Sequence, residues 1–256
     1  MSEARTTWVI PVVIGLIAGL VSGSFGVGGG IIIVPGLVIF LHFTQRLSHG
    51  TSLMAIMPIS AAGVIGFALN DSINVEYALF LGLGSILGAL LGTKLLASLK
   101  NVWLSRIFSG LLLLTALRLF ISVPSESGAA VASVTVGLAT ILVVVGALIG
   151  IVAGLLGVGG GLILVPILII FFGVATPEAK GTSLVVTLVA AITGTWRNHR
   201  NLNVDTPVAL RIGIAGIPTA LIGAQLAQLM SSQVSAILFA VLLVLSAIRL
   251  LRTSRG

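Results

Sequence analysis

Cysteine is missing from the chain, and charge nearly so: of 256 residues 7% are charged, six of them acidic, and there are three His and one Tyr. Without cysteine there is no disulfide framework, no thiolate nucleophile and no iron–sulfur or Cys-type zinc ligation. His42, His49 and His199 lack metal-ligand spacing, so neither a metal nor a cofactor is expected. A soluble domain carries roughly 25% charged residues. A chain that is 57% hydrophobic, with a mean hydropathy of +1.25, cannot cover a water-facing surface, which excludes a soluble enzyme. Several apolar runs exceed the ~18 residues of a spanning helix, so the lipid bilayer is the solvent. The net charge of +7 is scattered in short clusters between those runs; it reads as a topology signal, and no nucleic-acid partner is expected.

What the chain has in abundance is glycine, 32 residues of it, and the glycines repeat. Gly26-Val27-Gly28-Gly29-Gly30 followed by Pro35 returns 131 residues later as Gly157-Val158-Gly159-Gly160-Gly161 followed by Pro166. The same offset carries Gly15 to Gly146, Gly50-Thr51-Ser52-Leu53 to Gly181-Thr182-Ser183-Leu184, Gly92 to Gly223 and Arg118 to Arg249 without a gap. The chain is two copies of one unit. The expected division is an N-terminal repeat over 1–123, a turn-rich linker over 124–130 and a C-terminal repeat over 131–256. Arg5, the run Trp8 to Val21 and the small residues Ser22, Gly23 and Ser24 imitate a secretory signal peptide; recurrence of the same segment in mid-chain argues against one.

Each copy holds four apolar segments, in the first Trp8 to Phe43, Gly50 to Leu69, Tyr77 to Leu99 and Val102 to Ile121. As one helix, Trp8 to Phe43 would be ~54 Å long, against a hydrocarbon core of ~30 Å. Three adjacent glycines, each costing ~1 kcal/mol inside a helix, put the break at Gly26 to Gly30. A hairpin there returns the chain to its starting side, so each copy makes an odd number of crossings and the copies are inverted. The positive-inside rule agrees. With the N-terminus inside, of the 13 Lys and Arg only Arg118 and Lys180 fall outside, and Trp8, Trp103 and Trp196 share the inner interface. The predicted fold is an all-α polytopic membrane protein of two inverted repeats, each a glycine-broken hairpin plus three further transmembrane helices, with both termini cytoplasmic. Inverted repeats with matching interrupted helices point to a secondary transporter.

At each glycine cluster one helix ends and another begins, baring backbone N–H groups and the positive end of a helix dipole inside the membrane. An oxyanion is the natural ligand. Gly28, Gly29, Gly30, Gly159, Gly160 and Gly161 are therefore candidate substrate-binding positions; the other reading is tight helix packing, assigned here to Gly15, Gly19, Gly23, Gly82, Gly88 and Gly92. Thr51, Ser52, Thr182 and Ser183 open the helix after each hairpin, where their hydroxyls are expected to cap it or donate to the anion. His49 and its counterpart Lys180 are candidates to admit and release an anion at opposite mouths, or ordinary interfacial snorkelling side chains. No acid, whether Glu3, Asp71, Glu76, Glu126, Glu178 or Asp205, sits within an apolar run, which speaks against a carboxylate relay for protons or sodium. No catalytic residue is expected.

The paired Gly-Val-Gly-Gly-Gly with Pro35 and Pro166, each followed by Gly-Thr-Ser-Leu, resembles the sulfite exporter TauE/SafE family over nearly the whole chain. The resemblance implies transport of sulfite, an organosulfonate or a related small anion across the bacterial inner membrane, and it assigns no substrate contacts. The competing expectation is a non-transporting membrane scaffold whose glycines only pack helices. An intramembrane enzyme comes third, for want of a nucleophile and base pair.

Overall fold

The structure, a computed structural model, describes residues 2–95, 109–110, 113, 116–117 and 134–253, and is helical with no strand among them. The helices are α1 (Ser2–Phe25), α2 (Gly30–Phe40), α3 (Gln45–Ala68), α4 (Val75–Leu95), α5 (Val136–Leu156), α6 (Gly161–Phe172), α7 (Thr176–Arg200), α8 (Thr206–Leu229) and α9 (Ser232–Thr253). α2, α3 and α4 each begin 131 residues before α6, α7 and α8, and α1 ends 131 residues before α5. The linker over 124–130, Lys100, Trp103, Arg106 and Arg118 lie outside the described residues, as does most of Val102 to Ile121.

Spans within α1, α3, α4, α5 and α8 are long and apolar enough to cross a membrane. α2 and α6, with 11 and 12 residues, reach only ~16–18 Å and are half-length partners in hairpins. Leu79, Leu83 and Leu87, one turn apart on α4, are exposed, a stripe that suits lipid rather than water. At one end of the molecule the Arg211 guanidinium stands 3.8 Å over the Trp8 ring and that of Arg200 4.3 Å over Trp196, the aromatic and basic pairing expected at an interface.

Two seams hold the copies together, and they match. A side chain on Gly15, Gly19 or Gly23 of α1 would collide with the carbonyls of Ile212, Gly216 or Ala220 of α8. One on Gly84, Gly88 or Gly92 of α4 would collide with those of Val143, Ala147 or Ile151 of α5. Within each seam the two helices run in the same sense, with backbones close enough that only glycine fits. Gly82 differs from this expectation: a Cβ there would make one ordinary contact, 3.9 Å to Val189, so packing does not require it. α3 and α7, the same helix in the two copies, pass in opposite senses, Gly63 meeting Leu184 while Gly194 meets Leu53.

Candidate functional site

The helix breaks fall where the glycines stand. α1 stops at Phe25 and α2 starts at Gly30, with Gly26, Gly28 and Gly29 at φ values of 73°, 80° and 79°. Gly157, Gly159 and Gly160 repeat this at 64°, 88° and 78°. Adjacent left-handed residues such as Gly28 and Gly29 are open to glycine and costly for any L side chain. Pro35 and Pro166 lie inside α2 and α6.

The two elbows lie against each other. A Cβ on Gly30 would stand 2.6 Å from Val158 Cα and 2.8 Å from the Gly157 carbonyl; one on Gly161 would stand 2.5 Å from the Gly26 carbonyl and 2.9 Å from Val27 Cα. The glycine strands thus pass in opposite directions, first residue against last. All six candidate glycines are buried, and among the described residues no hydrogen bond reaches the N–H groups of Gly28, Gly29 and Gly30 or of Gly159, Gly160 and Gly161. Buried, unpaired backbone donors are rare in proteins.

The Gly-Thr-Ser-Leu motifs behave differently from the expectation of helix caps. α3 begins at Gln45 behind a Thr44 cap and α7 at Thr176 behind Ala175, so Thr51, Ser52, Thr182 and Ser183 lie in the second turn, where the backbone N–H groups already have partners. Each residue of the motif instead grips the other copy. Gly50 leaves room for the Asn203 carbonyl and Gly181 for that of Ser72. Thr51 accepts from the N–H of Asp205 at 3.0 Å and Thr182 from that of Asn74 at 2.9 Å. Ser52 donates to the Gly157 carbonyl at 2.8 Å and Ser183 to the Gly26 carbonyl at 2.9 Å. Leu53 and Leu184 fill the spaces left by Gly194 and Gly63. The serine protons are spent on carbonyls of the opposite elbow.

His49 and Lys180 sit one turn inside their helices, each with its backbone against the glycine of the other copy: a Cβ on Gly157 would lie 2.6 Å from His49 Cα, and one on Gly26 2.7 Å from Lys180 Cα. His49 is half-buried, its Nδ1 held by the Leu156 carbonyl and its Nε2 3.2 Å from Gln45 Oε1. Lys180 does not snorkel at a mouth. It is 1% exposed, donates to Ser235 Oγ at 2.7 Å and stands 5.8 Å from the Phe25 ring centroid; no carboxylate pairs with it among the described residues.

At the crossing of α3 and α7 stand residues that motif reading passed over. Thr187 donates to the Gly159 carbonyl at 2.9 Å, and its methyl would lie 2.5 and 2.7 Å from a Cβ on Gly28 and Gly159. Ile56 is its counterpart in the first copy. Aligning the copies at the 131-residue offset shows this polar-for-apolar exchange, and that of Ser60 for Ala191, among several differences between helices that share Gly-Thr-Ser-Leu and the glycines at 63 and 194. Among the described residues no three His, Asp or Glu gather as metal ligands. An outward groove of about 380 Å³ between α1 and α2 is lined by apolar residues such as Val13, Ile17 and Ile39 and offers an anion nothing.

The chain is 34% identical over 115 residues to the probable membrane transporter protein YdhB of Bacillus subtilis (strain 168), covering 43% of this chain and 47% of that protein. It is 32% identical over 108 residues to a probable membrane transporter protein of Xylella fastidiosa (strain Temecula1 / ATCC 700964), 41% of each. The matched stretches span less than half the length of these relatives. No solved structure matches. The family model described as Sulfite exporter TauE/SafE, however, matches residues 1–119 and 142–256, taking in both glycine elbows and both Gly-Thr-Ser-Leu motifs: the chain belongs to the TauE/SafE family.

Proposed function

We propose that the chain is a secondary transporter, not an enzyme, which moves a small sulfur-containing anion of the sulfite, sulfonate or sulfoacetate class outward across the cytoplasmic membrane. The anion is held at backbone N–H groups of the two glycine elbows. The observation that carries this reading is the set of buried N–H groups without partners at Gly28 to Gly30 and Gly159 to Gly161, at the starts of α2 and α6. Helix N-termini carry partial positive charge and free donors, and glycine leaves no side chain in an anion's way. Lys180, buried with no counter-charge among the described residues, adds attraction for the anion. Membership in a family named for sulfite export supports the substrate class, as do relatives named as membrane transporters support the activity.

The opposed run of α3 and α7 supports inverted copies, and with them alternating access around a site between the copies. Arg200 and Arg211 at the Trp8 end support cytoplasmic termini. Thr187 closes the space between the elbows, so the anion is reached when one copy rocks against the other. Export needs no coupling ion, since an anion leaving a negative interior gains ~2.3 kcal/mol per charge per 100 mV. The test is flux in proteoliposomes with a panel of sulfite, sulfate and organosulfonates under an imposed potential. Uptake of a sulfur oxyanion driven by the potential without sodium is the expected result. No flux of any member, or flux strictly dependent on sodium, overturns the reading.

A further inference from the structure

Ser60 is the polar group at the crossing that no contact explains. Its side chain is 0% exposed and its hydroxyl has no hydrogen-bond partner. It lies one turn beyond Ile56 on α3 and stands 3.6 Å from the position of a Cβ on Gly28. The unpaired N–H groups of Gly28, Gly29 and Gly30 lie along the same elbow, at the N-terminus of α2. The Ser60 oxygen can itself accept, but no N–H reaches it, so its proton and those of the elbow N–H groups are all left without an acceptor. The second elbow is not built this way. The position matching Ser60 is Ala191, also 0% exposed, and the hydroxyl nearest Gly159, that of Thr187, already gives its proton to the Gly159 carbonyl.

Resting on the reading of the elbows as an anion site, we propose that the site is one-sided: the oxyanion sits at the first elbow, with one oxygen on the Ser60 hydroxyl and others on the N–H groups of Gly28 to Gly30. The substrate class is an anion with at least two acceptor oxygens on one centre, such as sulfite or a sulfonate. Chloride, a single point acceptor, is disfavoured. The second elbow, with no free hydroxyl beside it among the described residues, serves as the moving wall.

The experiment is calorimetric titration of the purified full chain with sulfite and with methanesulfonate, alongside its unliganded melting temperature. Ser60→Ala should weaken binding about tenfold or more, the value of a hydrogen bond to a charged group, while the unliganded melting temperature stays level or rises because a buried orphan hydroxyl has gone. Ala191→Ser should leave affinity unchanged. Binding by Ser60→Ala equal to wild type overturns the one-sided site alone. A fall in unliganded stability that accounts for the lost binding shows a structural hydroxyl and overturns it too. Failure of the wild-type chain to bind either probe overturns both this proposal and the transport reading.

Discussion

The two copies share a backbone plan and differ in the side chains laid upon it. Both carry glycine at the elbows, at Gly15 and Gly19 and their counterparts Gly146 and Gly150 in the seams, and under the loop carbonyls at Gly50 and Gly181, while Gly84 and Gly88 answer to Ala215 and Thr219 and the positive-φ Gly173 to His42. Outside the shared Thr-Ser pair, polarity diverges. One end has the buried Lys180 with Ser235, the other the half-buried His49 on the Leu156 carbonyl; the centre sets Thr187 against Ile56 and Ser60 against Ala191. Steric constraints act on both copies where contacts between them are reciprocal, as where Gly63 meets Leu184 and Gly194 meets Leu53. Chemistry does not obey that reciprocity. A transporter that favours one direction needs unlike ends, and the place to find them is in residues that the symmetry leaves free.

The largest effect is expected at the seams. Gly19→Val and Gly150→Val each drive a side chain into a carbonyl of the facing helix, Gly216 in one case and Ser85 in the other. Overpacking of about 3 kcal/mol lowers the melting temperature by about 10 °C in a chain of this size, equally for both variants. A seam that tolerates valine while the other does not would break the symmetry of the two copies.

The elbows come next. Gly29→Ala and Gly160→Ala both place a Cβ at a left-handed φ, costing about 1–2 kcal/mol. Their surroundings are unequal, since a Cβ on Gly29 meets the Ala18 carbonyl at 2.8 Å whereas one on Gly160 meets the Ile149 Cγ2 methyl at 2.6 Å and the Ile149 carbonyl only at 3.2 Å. A side chain yields and a backbone carbonyl does not, so Gly29→Ala should be the less stable of the two. Gly29→Ala should lose sulfite affinity about tenfold, from a lost or misaligned charged hydrogen bond, whereas Gly160→Ala, on the elbow without the anion, should lose far less; affinity left intact in Gly29→Ala would remove the first elbow from the site.

A smaller and symmetric effect is expected at the interlock. Ser52→Ala and Ser183→Ala each remove one hydrogen bond between copies, worth about 1 kcal/mol, and thermal melting should show two shifts equal within error. Unequal shifts would mean that one elbow is held mainly by other contacts.

The smallest change in stability, and one of opposite sign, belongs to Lys180→Met. Replacing a buried charge by an apolar side chain of similar length is often neutral or stabilising, so the melting temperature should hold or rise while anion flux falls. His49→Met should instead lower stability slightly by leaving the Leu156 carbonyl bare. A marked loss of stability in Lys180→Met would recast that lysine as a structural post.

Much of the helical plan was legible in the chain itself. Three glycines in succession weaken a helix within an apolar run too long for one crossing, and the breaks after Phe25 and Leu156 fall where that argument puts them. The Gly-Thr-Ser-Leu motif was legible as important and illegible in role. Helix-cap propensity is a local rule, but α3 and α7 start upstream at Gln45 and Thr176, and the hydroxyls answer to carbonyls and N–H groups 105 to 157 residues away. On the same local grounds Lys180 reads as a residue at a mouth; α9 and Phe25 close over it.

Composition and period alone determined the solvent, the duplication and the positions of the breaks, because burial cost, glycine's conformational range and hydrophobic length act on a segment without reference to its neighbours. Only the tertiary structure decided which donors were left without acceptors. That depends on which segments meet across the copies, and a side chain such as Ser60 becomes an orphan or a partner according to what the crossing of α3 and α7 places beside it.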